Sequence, residues 1–381
     1  NILDPLDLID GIDLESLVAK RTTGLMQPQM KTSIEKATRK QFPQGIASYG
    51  TDAMRFTFAA LATLGRDIRF DLGRVEGYRN FCNKLWNATR YVLMNTEEHA
   101  ADLRSGACEY SVADRWIRGR LGAASDEVRR SLAAYRFDLA AQAMYEFVWY
   151  EFCDWYLELA KPVLESADAS EAAKRGTRRT LLEVLEGTLR LLHPLMPFIT
   201  EEIWQKVAPL AGVQGPTIMR QPYPRAADFP VDAQAERDIE AVRAVVLGIR
   251  QIRGELDVPH SRATPIFVRS ERPGDAAALT ALAGPLARVG NLESITVVES
   301  EAELPPCAIA LIDGRTVLAP FARLVDDVSA ELARLEKRRA KTQQDRDKCA
   351  AKLANANFVA NAPAEVAEQE PDQEPEPGTK I

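Results

Sequence analysis

The residues best suited to chemistry in this chain are amides, guanidinium groups and aromatic rings gathered within positions 75–95. There Tyr78, Phe81, Cys82, Leu85, Thr89 and Val92 recur at steps of three and four, the spacing of a helix face that turns inward. The opposite face then presents Arg79, Asn83, Trp86, Asn87 and Arg90, with Tyr91 beside Arg90. Asn83 and Arg90 fall two helical turns apart on the same side. Such groups can hydrogen-bond the edges of splayed single-stranded bases and stack on their faces. The segment just before adds Arg66, Arg69 and Arg74. An ordinary solvated helix face carries the same residue types, so spacing alone leaves both readings open.

A second candidate lies at 334–352, where Lys337, Arg338, Arg339, Lys341, Arg346, Lys348 and Lys352 outnumber the acids. Excess positive charge suits an arm that tracks phosphates. A solvated coiled-coil exterior would also be charged. Lys174-Arg175 and Arg178-Arg179 form a smaller cluster with the same two readings.

Catalytic chemistry is absent from the pattern. The three histidines, His99, His193 and His260, are far apart and lack metal-ligand spacing. No phosphate-cradling glycine loop and no H-x-G-H motif occur. Acid pairs such as Glu201-Glu202 fall at expected helix ends, where the helix dipole explains them. Cys82, Cys108, Cys153, Cys307 and Cys349 are scattered without a C-x-x-C pair, which argues against structural zinc and disulfides and for a reducing cytoplasm. With no run of eighteen apolar residues and no signal peptide, no membrane segment is expected. The expectation is therefore no catalytic residue, no metal site and no cofactor in this chain.

The elements that must position these residues are mostly helical. At 381 residues and 46% apolar content the chain is long enough for two or three domains with real cores. Its net charge of -7 speaks only weakly against RNA, because a local basic face can still hold phosphates. Residues 1–48 read as a connector. Positions 49–230 read as a helical bundle, with helices at 54–64 (capped by Thr51 or Asp52 and stopped at Gly65), 75–95, 133–159, 179–192 and 200–207, the last capped by Thr200. A helix at 234–253 and strands at 265–268, 294–298, 307–311 and 316–318 make a small α+β domain over 231–320, its last two strands joined by the hairpin signal Asp313-Gly314. Val325, Val328, Leu332 and Leu335 begin a heptad seam within 321–367, and 368–381 is an acidic, Pro-rich tail expected to be disordered. The fold class expected is mainly α: a helical bundle, then a small α+β domain, then a long C-terminal helix.

Several phrases go beyond general pattern. Gly65-Arg66-Asp67-Ile68-Arg69-Phe70-Asp71 and Glu76-Gly77-Tyr78-Arg79-Asn80-Phe81-Cys82-Asn83-Lys84-Leu85-Trp86-Asn87-Ala88 resemble valyl-tRNA synthetases. So do Glu151-Phe152-Cys153-Asp154-Trp155-Tyr156-Leu157-Glu158, Leu191-Leu192-His193-Pro194-Leu195-Met196-Pro197-Phe198 and Asn357-Phe358-Val359-Ala360-Asn361-Ala362-Pro363. The resemblance covers residues 1 to about 367. It implies a class I anticodon-binding bundle, with Arg69, Asn83, Arg90 and Tyr91 as anticodon contacts, Tyr91 stacking on a base, and Arg74 and Arg79 nearby. Gly73 stands where relatives carry Arg. It further implies a coiled-coil arm on the tRNA backbone, here through Lys337, Arg338, Arg339, Lys341, Arg346 and Lys348. The returning helix of that arm is replaced by the acidic tail.

The opening Asn1-Ile2-Leu3-Asp4-Pro5 resembles the stretch that follows the K-M-S-K-S loop, so the chain reads as a piece lacking the catalytic domain. ATP and magnesium would belong to that domain, and this piece would not aminoacylate alone. The partner implied is tRNA(Val), with no DNA or membrane, and the expected state is a cytoplasmic monomer. Two alternatives stand beside it: the tRNA-binding half of an isoleucine- or leucine-type enzyme, or a non-catalytic helical scaffold. A Cys-rich zinc end, frequent in the isoleucine enzymes, is missing, and salt-sensitive RNA binding would separate the scaffold.

Overall fold

The structure, a computed structural model, describes residues 3–63, 71–325 and 328–353. The chain divides into two compact units, residues 1–244 with 272–289, and residues 245–271 with 290–381.

The first unit opens with α1 (Pro5–Ile9), α2 (Leu14–Thr22) and α3 (Lys31–Gln41). Asp4 and Asp13 cap the first two by accepting from the backbone N–H of Leu6 and Ser16. Residues read as a connector thus form a folded piece with a core of Leu8, Leu17, Phe42 and Ile46, which Met54 of the next helix completes.

Then come α4 (Thr51–Leu61), α5 (Leu72–Thr96), α6 (Val112–Ala133) and α7 (Phe137–Glu146). α7 continues through a π-helical stretch, Phe147–Tyr156, into α8 (Leu157–Glu165). The Leu157 N–H donates to Phe152 O, five residues back, which is the wider turn of a π-helix. The helix expected over 133–159 instead breaks after α6: Tyr135 takes a φ of 56°, and the chain turns before Phe137. The unit continues with α9 (Glu171–Leu192), α10 (Pro197–Ala211), the first part of α11 (Ala233–Glu255), α12 (Asp275–Ala281) and most of α13 (Ala283–Gly290).

A buried knot ties α6, the π stretch and α9. The Asp114 carboxylate accepts from Tyr156 Oη at 2.7 Å, Thr177 Oγ1 at 2.9 Å and the Ser111 N–H at 2.9 Å. Burial pushes the Asp114 carboxyl above its ordinary range, although all three donors favour its charged form.

Two expected caps are corrected. α10 begins at Pro197, so Thr200 sits inside the helix, where its hydroxyl donates back to Met196 O at 2.7 Å. Pro197 suits the first helical position because its missing N–H is not needed there. The free N–H groups of Phe198 and Ile199 are taken by Asp52 of α4, at 3.2 and 2.6 Å. Asp52 therefore caps α10 across the bundle rather than its own helix, which has no side-chain cap. The Gly65 stop lies outside the described residues.

In the second unit the strands β1 (Thr264–Ser270), β2 (Leu292–Val297), β3 (Cys307–Ile312) and β4 (Arg315–Pro320) order as β2-β1-β4-β3. β1 pairs parallel with β2 and antiparallel with β4, and β3–β4 is the expected hairpin. Asp313 and Gly314 both take positive φ, 53° and 75°, as a tight two-residue turn requires. The second part of α11 lies close to β4: a Cβ on Gly248 would stand 2.7 Å from Val317 Cγ2, so only glycine fits without movement. A short helix, α14 (Phe321–Leu324), precedes the long α15 (Val328–Leu353). The turn expected at 355–363 and the tail at 368–381 lie outside the described residues. The fold is mainly helical with one small mixed sheet, as expected.

Replacing Asp52 by Ala removes the cap of α10 and is expected to lower stability in chemical denaturation by about 0.5–2 kcal/mol, the usual worth of such a cap. An unchanged midpoint would show that α10 does not depend on it.

Candidate nucleic-acid interface

α5 is held by its inner face. Val75, Phe81, Leu85 and Val92 are fully buried, and Thr89 and Ala88 nearly so. The Phe56 ring of α4 packs 5.3 Å from Phe81 and 4.8 Å from Tyr78, centroid to centroid. Asp71 caps the helix through the Gly73 N–H. With one side clamped, the residues half a turn away must face outward.

Those residues are Asn83, Trp86, Asn87, Arg90 and Met94, all exposed. Asn83 and Arg90 make no side-chain hydrogen bond or ion pair among the described residues. The expected amide and guanidinium are thus displayed together, two turns apart, on a rigid support. Arg74 is also exposed, in the first turns of the same helix.

Two expected contacts are placed differently. Arg79 is half-buried and turned toward the N-terminal piece. Its guanidinium lies 5.5 Å from the Tyr49 ring centroid, 3.4 Å from Ser48 O and 3.7 Å from Glu76. Tyr91 is half-buried on the side facing α8, with Lys161 Nζ 5.9 Å from its ring centroid. Burial pushes its hydroxyl up to about 12, and Glu165 and Glu158 add to the shift. Position 91 stands about 100° around the helix from position 90, enough to carry the ring out of the exposed stripe. Arg66 and Arg69 lie outside the described residues.

On α15, Lys337, Arg339 and Lys341 are exposed. Arg346 pairs with Asp347 at 3.1 Å and Lys348 with Asp345 at 3.2 Å. These pairs are exposed and contribute little to stability. The Arg338 side chain lies outside the described residues.

The structure adds a group that spacing did not single out. Lys84 leans from α5 onto the π stretch, ion-paired to Asp154 with its Nζ 4.0 Å from the Trp149 ring centroid. Trp149 stacks on Tyr145 at 5.4 Å, and the exposed Tyr150 meets Tyr145 edge-on at 6.1 Å. Lys84, beside the α5 stripe, is therefore held against a row of aromatic rings. Lys84 was hidden because it sits between the buried and outward faces. Its contacts with Trp149 and Asp154 join two helices distant in sequence, which spacing along either one does not reveal. Among the described residues no cluster of metal-binding side chains occurs, and no helix is long and apolar enough to cross a membrane.

Comparison with known proteins bears on this surface. Residues 114–268 match the anticodon-binding domain of tRNA ligases, and residues 327–380 match the valyl tRNA synthetase tRNA binding arm. The second match runs through the acidic stretch. A valine–tRNA ligase of Xanthomonas campestris pv. campestris (strain B100) is 52% identical over 374 residues, 97% of this chain and 39% of that protein. One from Acinetobacter baylyi is 49% identical over 370 residues, 97% of this chain and 38% of that protein. One from Xanthomonas euvesicatoria pv. vesicatoria is 51% identical over 372 residues. The chain thus spans 37–39% of the length of these curated relatives.

Residues kept for a partner should be dispensable for folding. Asn83→Ala and Arg90→Ala are expected to leave unfolding free energy within about 0.5 kcal/mol of the parent, as at other unpartnered surface positions. Arg79→Ala is expected to cost about 0.5–1 kcal/mol, because it loses the ring contact with Tyr49. Equal effects at all three positions in urea titrations would show that the exposed stripe is not set apart from the structural arginine.

Proposed function

We propose that α5 reads the anticodon of a valine tRNA, a reading supported by the similarity of this chain to valine–tRNA ligases over the region it shares with them. The observation that carries this reading is the outward display of Asn83 and Arg90, unpartnered and two turns apart on a helix whose back is buried. An amide offers both donor and acceptor to a base edge, and a guanidinium offers a rigid fork of donors. Lys84 supplies a further cation at the border of the stripe, held by Asp154 and Trp149 until RNA replaces them. Arg74, near the start of α5, can meet a backbone phosphate. Arg79 supports the fold instead of the RNA, and Arg69 is kept as a contact on the strength of the resemblance.

The exposed cations of α15, with Lys337, Arg339 and Lys341 foremost, would meet the tRNA backbone. Phosphate contacts of this kind add affinity without sequence preference and weaken as salt rises. The complete enzyme would activate valine with ATP and magnesium and esterify it to tRNA(Val), with this chain supplying recognition and not the ligation. It would act in the cytoplasm, as a monomer, on tRNA and not on DNA. The family matches favour the valine enzyme over its isoleucine and leucine relatives, and tRNA binding over a protein scaffold.

Arg90→Ala is expected to weaken binding of a cognate valine tRNA by about 1–3 kcal/mol, the scale of a specific base contact. The check is a binding titration against cognate and anticodon-substituted tRNAs. An equal loss on every tRNA would reduce Arg90 to a phosphate contact, and no loss would remove it from the site.

A further inference from the structure

We propose that Arg178, near the start of α9, holds a phosphate group. The inference stands apart from the reading of α5.

Four cations, Lys174, Arg175, Arg178 and Arg179, stand in the first turns of α9 at steps of three and four, which bring helix side chains together. Three of them are engaged. Lys174 pairs with Glu171 at 3.6 Å. Arg175 takes both carboxylate oxygens of Asp102, at 2.8 and 3.1 Å, and donates to Ala107 O at 2.7 Å. Arg179 lies against Cys108 Sγ at 3.8 Å. Arg178 is the exception. It is only 9% exposed, and its Nε and Nη1 are fully buried without a hydrogen-bond partner.

A charge taken out of water without a partner is strongly destabilising, and a buried donor left unpaired adds to that cost. The acid nearest in effect is Asp102, whose carboxyl is held below its ordinary range by Arg175 first, then by His99 and Arg178. Arg175 already occupies both oxygens of that carboxylate, so two guanidinium groups share one negative charge. A water accepting from Arg178 would satisfy a donor and leave the charge uncompensated. An oxyanion does both. The guanidinium offers a side-on fork, Nε with Nη2, and an end-on fork, Nη1 with Nη2, and either matches two oxygens of a phosphate. Nη2 belongs to both forks and is not closed off like the other two nitrogens. Asp102, 43% exposed at its side chain, brings the cluster to the surface.

The test follows thermal melting of this chain in inorganic phosphate, against sodium chloride of the same ionic strength. Phosphate is expected to raise the parent's midpoint saturably, by about 2–4 °C. Arg178→Met should show no such rise, and without phosphate it should melt no lower than the parent, because an apolar chain replaces an unpaired charge. Arg178→Lys, which keeps the charge and loses the fork, should need more phosphate for the same rise. No phosphate-specific rise in the parent would overturn the proposal. So would an equal rise in Arg178→Met, which is the general stabilising effect of phosphate on folded chains, or a melt of Arg178→Met well below the parent without phosphate. Binding of tRNA then separates two sources of the group. If an RNA backbone supplies it, Arg178→Met loses affinity for cognate and anticodon-substituted tRNAs alike, and inorganic phosphate competes with both. If a free phosphate or a small phosphorylated molecule supplies it, tRNA affinity is unchanged while the phosphate response is lost.

Discussion

Everything at the candidate interface depends on the burial of one stripe of α5. Val75, Phe81, Leu85 and Val92 are removed from water completely. Each such side chain contributes about 1.5–3 kcal/mol when fully buried, so rotating the helix to expose them is far costlier than any gain from turning its polar face inward. The helix is therefore fixed about its axis, and Asn83, Trp86, Asn87 and Arg90 are fixed outward with it. A surface that reads bases must be held in place before the RNA arrives, because ordering it on binding would subtract from affinity.

The rest of the bundle serves that constraint through polar groups that are few and satisfied. Asp114 joins three helical elements by accepting from Ser111, Tyr156 and Thr177. Asp52 joins α4 to α10 by taking the two N–H groups that Pro197 and its neighbours leave open. Both carboxyls are raised by burial. Their value lies in fixing where helices meet more than in net stabilisation, since the desolvation of each charge offsets much of what its hydrogen bonds gain. Trp149 of the π stretch then stacks on Tyr145, near the end of α7, where Lys84 of α5 leans on its ring.

Much of this was legible in the sequence where one local signal dominates. Steps of three and four marked the buried face of α5, and Asp313-Gly314 marked the hairpin with both residues at positive φ. The strands followed from short apolar runs bounded by turns. What stayed hidden depends on contacts distant in sequence. Nothing near Thr200 reveals that Asp52, on another helix, takes the cap, and the rule for a local Ser or Thr cap gave the wrong start for α10. The π turn has no sequence mark of its own, so Trp149 and Lys84 were not brought together until the backbone was seen. Tyr91 followed from the resemblance, but its ring lies a quarter-turn from Arg90, toward α8. The anticodon-binding match begins at Asp114, downstream of α5, so the helix carrying the stripe rests on its own geometry and on the longer relatives.

The central claim is that this chain discriminates among RNA sequences through fixed groups on α5 and does not merely attract phosphates. The most direct measurement is the affinity of the chain for a valine tRNA and for a copy with its anticodon exchanged, across a series of salt concentrations. Both affinities should fall as salt rises, since backbone contacts release counterions in each case. The account predicts that the ratio between them persists, because base-edge contacts do not depend on that release. A ratio of one at every salt concentration would contradict it.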